Sequence, residues 1–234
     1  MLEFSNVKVY DLRECVIASG NSMRLEPVDY TDDEFRKGLQ RCKKLMKFSG
    51  GSGETNFRTG IRVSFDMKYT QYITKQFQRY HWFDYVNSSS LMHRITKMDF
   101  SKCTNGYVNN GQIEFMIRLV QLYNMLSAAV ENNRFYENFE LPYKKFVAAN
   151  FSTPCERTGR TELMYDCYMR IISSAPMGTE LFVRVSTNYE QLATICKQRE
   201  GHKLKEDYAN FFAFIKQLPY ADDFILCELK SRKK

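Results

Sequence analysis

From Ile61 to Lys68 apolar and polar side chains alternate without a break, Ile61, Val63, Phe65 and Met67 against Arg62, Ser64, Asp66 and Lys68. A period of two sends the two sets to opposite faces of an extended chain, so this segment is a strand with one buried face. Directly after it the period changes. Tyr69, Tyr72, Ile73, Gln76, Phe77 and Tyr80 recur at the spacing of one helical face, which predicts a helix over about residues 69–81. The same succession returns near the C-terminus, where Leu181 to Val185 alternate. There Thr187, with Glu190 three residues on, reads as a capping box that starts a helix running to about Glu200.

The remaining patterns agree with a mixed α/β chain. A strand-like piece at Val7 leads into a helix that Gly20 stops. Thr31 and Glu34 form another capping box before Phe35, Leu39 and Cys42. Ile113 to Val130 carries the longest apolar stripe, Thr161 to Ile172 is helical, and Asp207 to Leu218 is a helix ended by Pro219. Residues 136–149 are mixed. Residues 101–112, with Asn105-Gly106 and Asn109-Asn110-Gly111, read as a turn-rich loop of the kind that can close over a site. Ser49-Gly50-Gly51-Ser52-Gly53 lacks the G-K-[ST] or G-x-G-x-x-G of a phosphate loop and reads as a flexible connector.

At 234 residues with 44% apolar side chains the chain is expected to form one domain, residues 1–234. The seven cysteines are odd in number and show no C-x-x-C spacing, so neither a disulfide framework nor a zinc site is indicated. The three histidines make no metal-ligand spacing either, and no metal is expected. No signal-peptide pattern opens the sequence and no apolar run approaches the roughly 18 residues of a membrane span, which points to a reducing cytosol and no membrane. The net charge of +7 suits an anionic partner, whether nucleotide, nucleic acid or acidic surface, without choosing among them. Its densest run, Lys230 to Lys234, is a solvated tail.

Candidate chemistry concentrates between Gln76 and Arg94, QFQRYHWFDYVNSSSLMHR, where amides, hydroxyls, imidazoles and two arginines sit on an aromatic frame. Gln76 and Arg79 fall one turn apart near the end of the predicted helix, and Asn87-Ser88-Ser89-Ser90 is hydrogen-bonding loop chemistry. Downstream, Asn188 and Arg199 are eleven residues apart, three turns of helix or roughly 16 Å along one face.

These residues resemble the flavin-dependent thymidylate synthase family, and in particular its short, divergent bacteriophage members. The family signature is a Gln two residues before R-H-R-x-x-S-x-N-E-x-S-x-R-Y. Gln76-Phe77-Gln78-Arg79 matches its opening Q-x-x-R in one register; His81, Asn87 and Ser90 match its His, Asn and second Ser in another, and one extra residue near Tyr80 reconciles the two. Gly53-Glu54-Thr55-Asn56-Phe57 is similar to the family's H-x-T-P-x-E-H segment with the threonine kept. Arg170-Ile171-Ile172 followed by Pro176 resembles A-R-x-x-L-P, and Asn188 and Arg199 match the family's C-terminal Asn and Arg in identity and spacing. His202 follows that arginine by three residues where the family has four. The chain departs from the motif at its Glu, here Ser88, and at its Arg-Tyr, here Met92-His93, with Arg94 two places beyond.

The resemblance implies an α/β domain, a twisted and mostly antiparallel sheet flanked by helices, assembled as a homotetramer in a bacterial or phage-infected cytosol. It implies FAD as cofactor, NADPH and methylenetetrahydrofolate as co-substrates, and transfer of a one-carbon unit to C5 of dUMP to give dTMP. Catalytic roles would fall to Arg79, Ser90, Arg94 and Arg199. The flavin would be lined by Thr55, His81, Asn87, Asn188 and His202. The nucleotide would be held by Gln76, Arg79, Ser88, Ser90, Arg170 and Arg199. Two alternatives stay open: a related modification, such as hydroxymethylation, of another pyrimidine nucleotide, and a non-catalytic nucleotide- or nucleic-acid-binding scaffold.

Overall fold

The structure, a computed structural model, describes residues 1–48, 53–129 and 134–231. Most of the glycine-rich connector, residues 49–52, and the end of the basic tail, residues 232–234, lie outside the described residues. Four strands form one sheet in the order β1-β2-β4-β3, with β1 at Glu3–Tyr10, β2 at Arg62–Thr70, β3 at Asp84–Ser88 and β4 at Glu180–Asn188. β1 pairs antiparallel with β2, and β3 with β4. The fold is therefore the mixed α/β class that the patterning predicts. The chain separates into two compact units, one of Met1–Tyr69, Ile73–Ser89 and Phe182 onward, the other of Thr70–Tyr72 and Ser90–Leu181.

In the first unit β2 places Val63, Phe65 and Met67 in the core and leaves Arg62 exposed, as the alternation requires. The strand runs on to Thr70, because Tyr69 continues the period of two and is itself buried. The expected helix over residues 69–81 is consequently only α4, Gln71–Phe77, and Tyr69 lies on a strand. Phe65 meets the rings of Phe4, Phe83 and Phe214 at centroid distances of 5.6, 6.0 and 4.8 Å. Truncating such a ring costs about 3–5 kcal/mol, which makes this aromatic cluster the anchor of the sheet.

The polar run Asn87-Ser88 is not a loop. It is the end of β3, paired with β4 through Asn87↔Arg184 and Ser88↔Val183, with an irregularity after Tyr85. β3 is an edge strand whose side chains from Val86 to Ser88 are exposed, so the ladder supplies its order and its composition can be polar.

The helices α1 (Leu12–Ala18), α2 (Asp32–Leu45) and α3 (Phe57–Gly60) follow β1 or precede β2. Thr31 caps α2 as expected, its hydroxyl accepting from Glu34 N at 3.2 Å. The cap of the helix after β4 differs from expectation. Thr187 still belongs to the strand and its hydroxyl donates to Trp82 O at 2.6 Å. Asn188 is the cap, its Oδ1 accepting from Gln191 N at 2.8 Å.

In the second unit α5 (Leu91–Arg94) is a single turn, and α6 (Asn110–Ala128) packs on α8 (Arg160–Ser174), with α7 (Leu141–Asn150) preceded by a π turn at Tyr136–Glu140. Met116, Leu119, Leu126, Leu163 and Ile171 fill the interior. The segment expected as a possible lid is fixed over its first half, since Asn105 N donates to Gly178 O at 2.9 Å and Glu180 N to Cys103 O at 2.7 Å. Beyond it Tyr107 is 78% exposed, while Val108 N donates back to Asn105 O at 3.2 Å.

Candidate active site

Helix α9 (Tyr189–Arg199) follows β4, and its C-terminal end carries Arg199. Beyond it the chain turns through Glu200, at φ −59° and ψ 124°, and Gly201, at φ 70°, and His202 N donates back to Arg199 O at 3.2 Å. These angles make a type II turn, whose third position needs a positive φ and therefore favours glycine. The turn returns His202 toward Arg199 one residue earlier than the family spacing does. Helix α10 (Lys205–Lys216) then brings Tyr208 to the same place.

Arg199 is held by rings rather than by a carboxylate. Its Nε donates to Tyr80 Oη at 2.8 Å, and its guanidinium carbon lies 5.6 Å from the ring centres of both Tyr80 and Tyr208. Neither Nη has a partner among the described residues. Tyr208 Oη donates to Gln76 Oε1 at 2.8 Å, which leaves the Gln76 amide N–H pair available. Burial pushes the Tyr208 phenol up to about 12 and raises Tyr80 as well, against the opposing pull of Arg199. Both therefore keep their protons near neutral pH, and the Tyr80 hydroxyl, already an acceptor from Arg199, retains a proton to give.

His202 Nδ1 accepts from Leu204 N at 3.1 Å, and its ring stands edge-on to Tyr208 at 4.7 Å. Burial, then the charges of Arg199 and Lys203, hold its pKa below the usual imidazole value. The neutral ring thus carries its proton on Nε2. Arg199, Tyr80, Gln76 and His202 together offer donors, and no carboxylate pairs with Arg199 among the described residues, an arrangement suited to an anionic or carbonyl oxygen.

Asn188 lies at the other end of α9, beside a pocket of about 460 Å³ lined by Thr59, Arg62, Trp82, Asn188, Glu190, Gln191 and Thr194. Trp82 is 54% exposed, and its backbone N–H donates to Gln191 Oε1 at 3.4 Å. With Oδ1 spent on the helix cap, Asn188 retains its amide N–H pair.

The other expected residues are scattered. Thr55 is buried in a 3-10 turn, Gly53–Thr55. Arg79 is exposed just beyond α4 rather than on it, and His81 is exposed with its ring edge-on to Trp82 at 4.8 Å. Asn87 and Ser88 are exposed on β3. In the second unit Ser90 caps α5, its hydroxyl accepting from His93 N at 3.3 Å, and Arg94 is exposed at the end of that turn. Arg170 is already engaged: its Nε donates to Asp166 Oδ2 at 2.7 Å and its guanidinium lies 4.6 Å from the Phe151 ring centre. Tyr143 Oη donates to the same Asp166 oxygen at 2.5 Å, and the two donors offset burial to hold that carboxyl below its usual pKa.

Of the residues expected from sequence, the structure joins Gln76, Arg199 and His202 in one cluster. Tyr80 and Tyr208, which complete it, were legible only as members of apolar stripes. No group of three or more His, Cys, Asp and Glu that could hold a metal occurs among the described residues, and no helix there is long and apolar enough to cross a membrane.

No protein-family model and no curated protein matches the sequence. Solved structures do. The chain is similar to the flavin-dependent thymidylate synthase ThyX of Helicobacter pylori complexed with FAD and dUMP, at 13% identity over 95% of this chain and 97% of that one, with a TM-score of 0.57. A second crystal structure of that enzyme, also with FAD and dUMP, gives 0.55 at 13% identity over 96% and 97%. The UMP/dUMP methylase PolB of Streptomyces cacaoi is more distant, at a TM-score of 0.47 and 13% identity over 97% of this chain and 94% of that one. Nearly end-to-end coverage at such low identity is a likeness of fold: this chain has the fold of the flavin-dependent thymidylate synthases.

Proposed function

We propose that this chain is a flavin-dependent enzyme that transfers a one-carbon unit from methylenetetrahydrofolate to C5 of dUMP, giving dTMP, with FAD as cofactor and NADPH as hydride source. The observation that carries the reading is Arg199, a half-buried cation held by Tyr80 and Tyr208 with both Nη atoms open among the described residues. A nucleotide oxygen completes its charge, while the Gln76 amide and the Tyr80 hydroxyl donate to neighbouring oxygens.

The residues present fit a flavin: the exposed Trp82 ring offers a stacking face, and Asn188 turns its remaining N–H donors to a cofactor rich in acceptors. When bound, FAD supplies the electrons that reduce the transferred carbon. Asn188, His202, Thr55, His81 and Asn87 hold it in this reading. In this reading Arg79 and Ser88 bind the nucleotide with Arg199, and Arg79 polarises the uracil. The assembly is a homotetramer.

The test is product analysis after incubation with FAD, NADPH, methylenetetrahydrofolate and dUMP. Formation of dTMP that is lost in Arg199→Gln supports the reading, and no modified nucleotide from a flavin-loaded protein overturns it. One observation favours a second reading, a related modification of another pyrimidine nucleotide: Met92, 57% exposed, stands where the family motif has arginine. The same incubation with dCMP distinguishes the two.

A further inference from the structure

Tyr208 touches Gln76, Arg199 and His202 at once. Its hydroxyl lies 2.8 Å from Gln76 Oε1, and its ring centre is 5.6 Å from the Arg199 guanidinium carbon and 4.7 Å from the His202 ring. Only 2% of the residue is exposed, with the rings of Phe77 and Phe211 beside it. A phenol so enclosed must place its proton on an acceptor, and its one acceptor among the described residues is Gln76 Oε1. Burial pushes this phenol up to about 12, so the proton to be placed is present throughout the neutral range. Turning the Gln76 amide over would set its N–H pair against Tyr208 Oη and leave the phenol proton unpaired, which disfavours that orientation about tenfold or more. The amide is therefore locked with its oxygen on Tyr208 and its N–H pair left for a ligand.

In the same cluster Arg199 has both Nη atoms open among the described residues, and Tyr80 keeps a proton to give. A ligand atom that meets the Gln76 amide must then be an acceptor, because an amino group would set N–H against N–H. We infer that Tyr208 is a positioning residue that makes this site selective for an acceptor oxygen of the nucleotide, acting through the Gln76 amide that its hydroxyl orients. The inference rests on the reading that the Arg199 cluster takes a pyrimidine nucleotide. A uracil carbonyl and the phosphate share the chemistry.

Calorimetric titration with dUMP of the wild type, Tyr208→Phe, Gln76→Leu and the double variant separates positioning from plain packing. Phenylalanine keeps the ring against Arg199 and His202 and removes only the hydroxyl. To donate to the ligand, the Gln76 amide must then leave its oxygen unpaired against that ring, so dUMP affinity should fall about tenfold. Gln76→Leu should lose a similar factor, and adding Tyr208→Phe to it should lose nothing further, because the hydroxyl has no amide left to orient. Repeating the titrations with deoxyuridine names the oxygen: a Tyr208→Phe loss that persists assigns a uracil carbonyl, and one that vanishes assigns the phosphate. NMR of the ligand-free wild type tests the orientation without any nucleotide or variant. The Tyr208 hydroxyl proton should be resolved, with a nuclear Overhauser contact to Gln76, while the Gln76 side-chain N–H pair exchanges freely with water. An N–H pair protected from exchange, or losses that add in the double variant, overturns the proposal. Absence of dUMP binding alongside the expected NMR signature refutes the nucleotide reading instead, and the orientation of Gln76 by Tyr208 stands.

Discussion

Arg58→Met tests how the fold holds Glu190 in place. Arg58 is fully buried and faces two carboxylates, Glu190 at 2.5 Å and Glu228 at 2.8 Å, besides the Phe224 carbonyl. Removing one partner of a buried ion pair costs about 3–5 kcal/mol because the remaining charge has no compensation. Here both carboxylates keep some solvent, with 26% and 15% of their side chains exposed, and Lys197 lies 3.6 Å from Glu228. The loss should therefore sit at the low end, about 3 kcal/mol, a large share of a typical total of about 5–15 kcal/mol. Chemical denaturation followed by far-UV circular dichroism measures it as a fall in the urea midpoint. Replacing the carboxylates as well, in Arg58→Met/Glu190→Gln/Glu228→Gln, should recover most of the loss, since the penalty belongs to unpaired charge and not to the missing volume. If Arg58→Met unfolds at the wild-type midpoint, or the triple variant is less stable than the single one, the electrostatic account of this buried cation is wrong.

Asn188→Ala should cost about 1 kcal/mol as a lost helix cap, whereas Asn188→Asp keeps the cap and its stability while removing the amide donors from the pocket; thermal melts with flavin binding separate the two roles. Gly201→Ala meets no neighbouring atom but forces an alanine into the left-handed region at φ 70°, costing about 1–2 kcal/mol and weakening any ligand of the Arg199 cluster; unchanged stability would contradict the turn assignment. Because the folded His202 binds its proton more weakly than the unfolded chain does, its contribution is present above the unfolded value near 6.5 and is lost as pH falls through the depressed folded value. An NMR titration of the His202 ring should give a midpoint below that of a model peptide, and a midpoint at or above it refutes the reading. Tyr143→Phe removes the hydroxyl bonded to Asp166 and should lower stability by about 1–2 kcal/mol in urea denaturation; no loss would mean that the hydrogen bond contributes nothing.

Where the sequence carried a strict period, it located the elements. Ile61 to Met67, the Thr31 cap and the long apolar stripe after Ile113 all lie where their patterns place them, because each is decided by which face meets the core. Tyr69 fitted both the period of two and the helical period, and only pairing within the sheet decides for the strand. Asn87 and Ser88 have turn chemistry, yet an edge strand tolerates polar side chains on both faces as long as its backbone is paired. In the site, Gln76 and Arg199 stood out through the family resemblance, Gln76 as the first residue of Q-x-x-R and Arg199 as the arginine eleven residues after Asn188. Tyr80 and Tyr208 did not, since an aromatic at a helical position reads as core whether or not its hydroxyl holds an arginine. The His202 position depends on a three-dimensional return through Gly201, for which one glycine after a helix is too common a signal.

The measurement that bears most directly on the central claim is the visible absorbance spectrum of the protein with FAD during titration with dUMP, for the wild type and for Arg199→Gln. The account predicts retained flavin whose bands shift saturably with dUMP, and a folded Arg199→Gln protein that keeps the flavin but loses the dUMP response. A protein that retains no flavin, or one whose dUMP response is the same without Arg199, would contradict it.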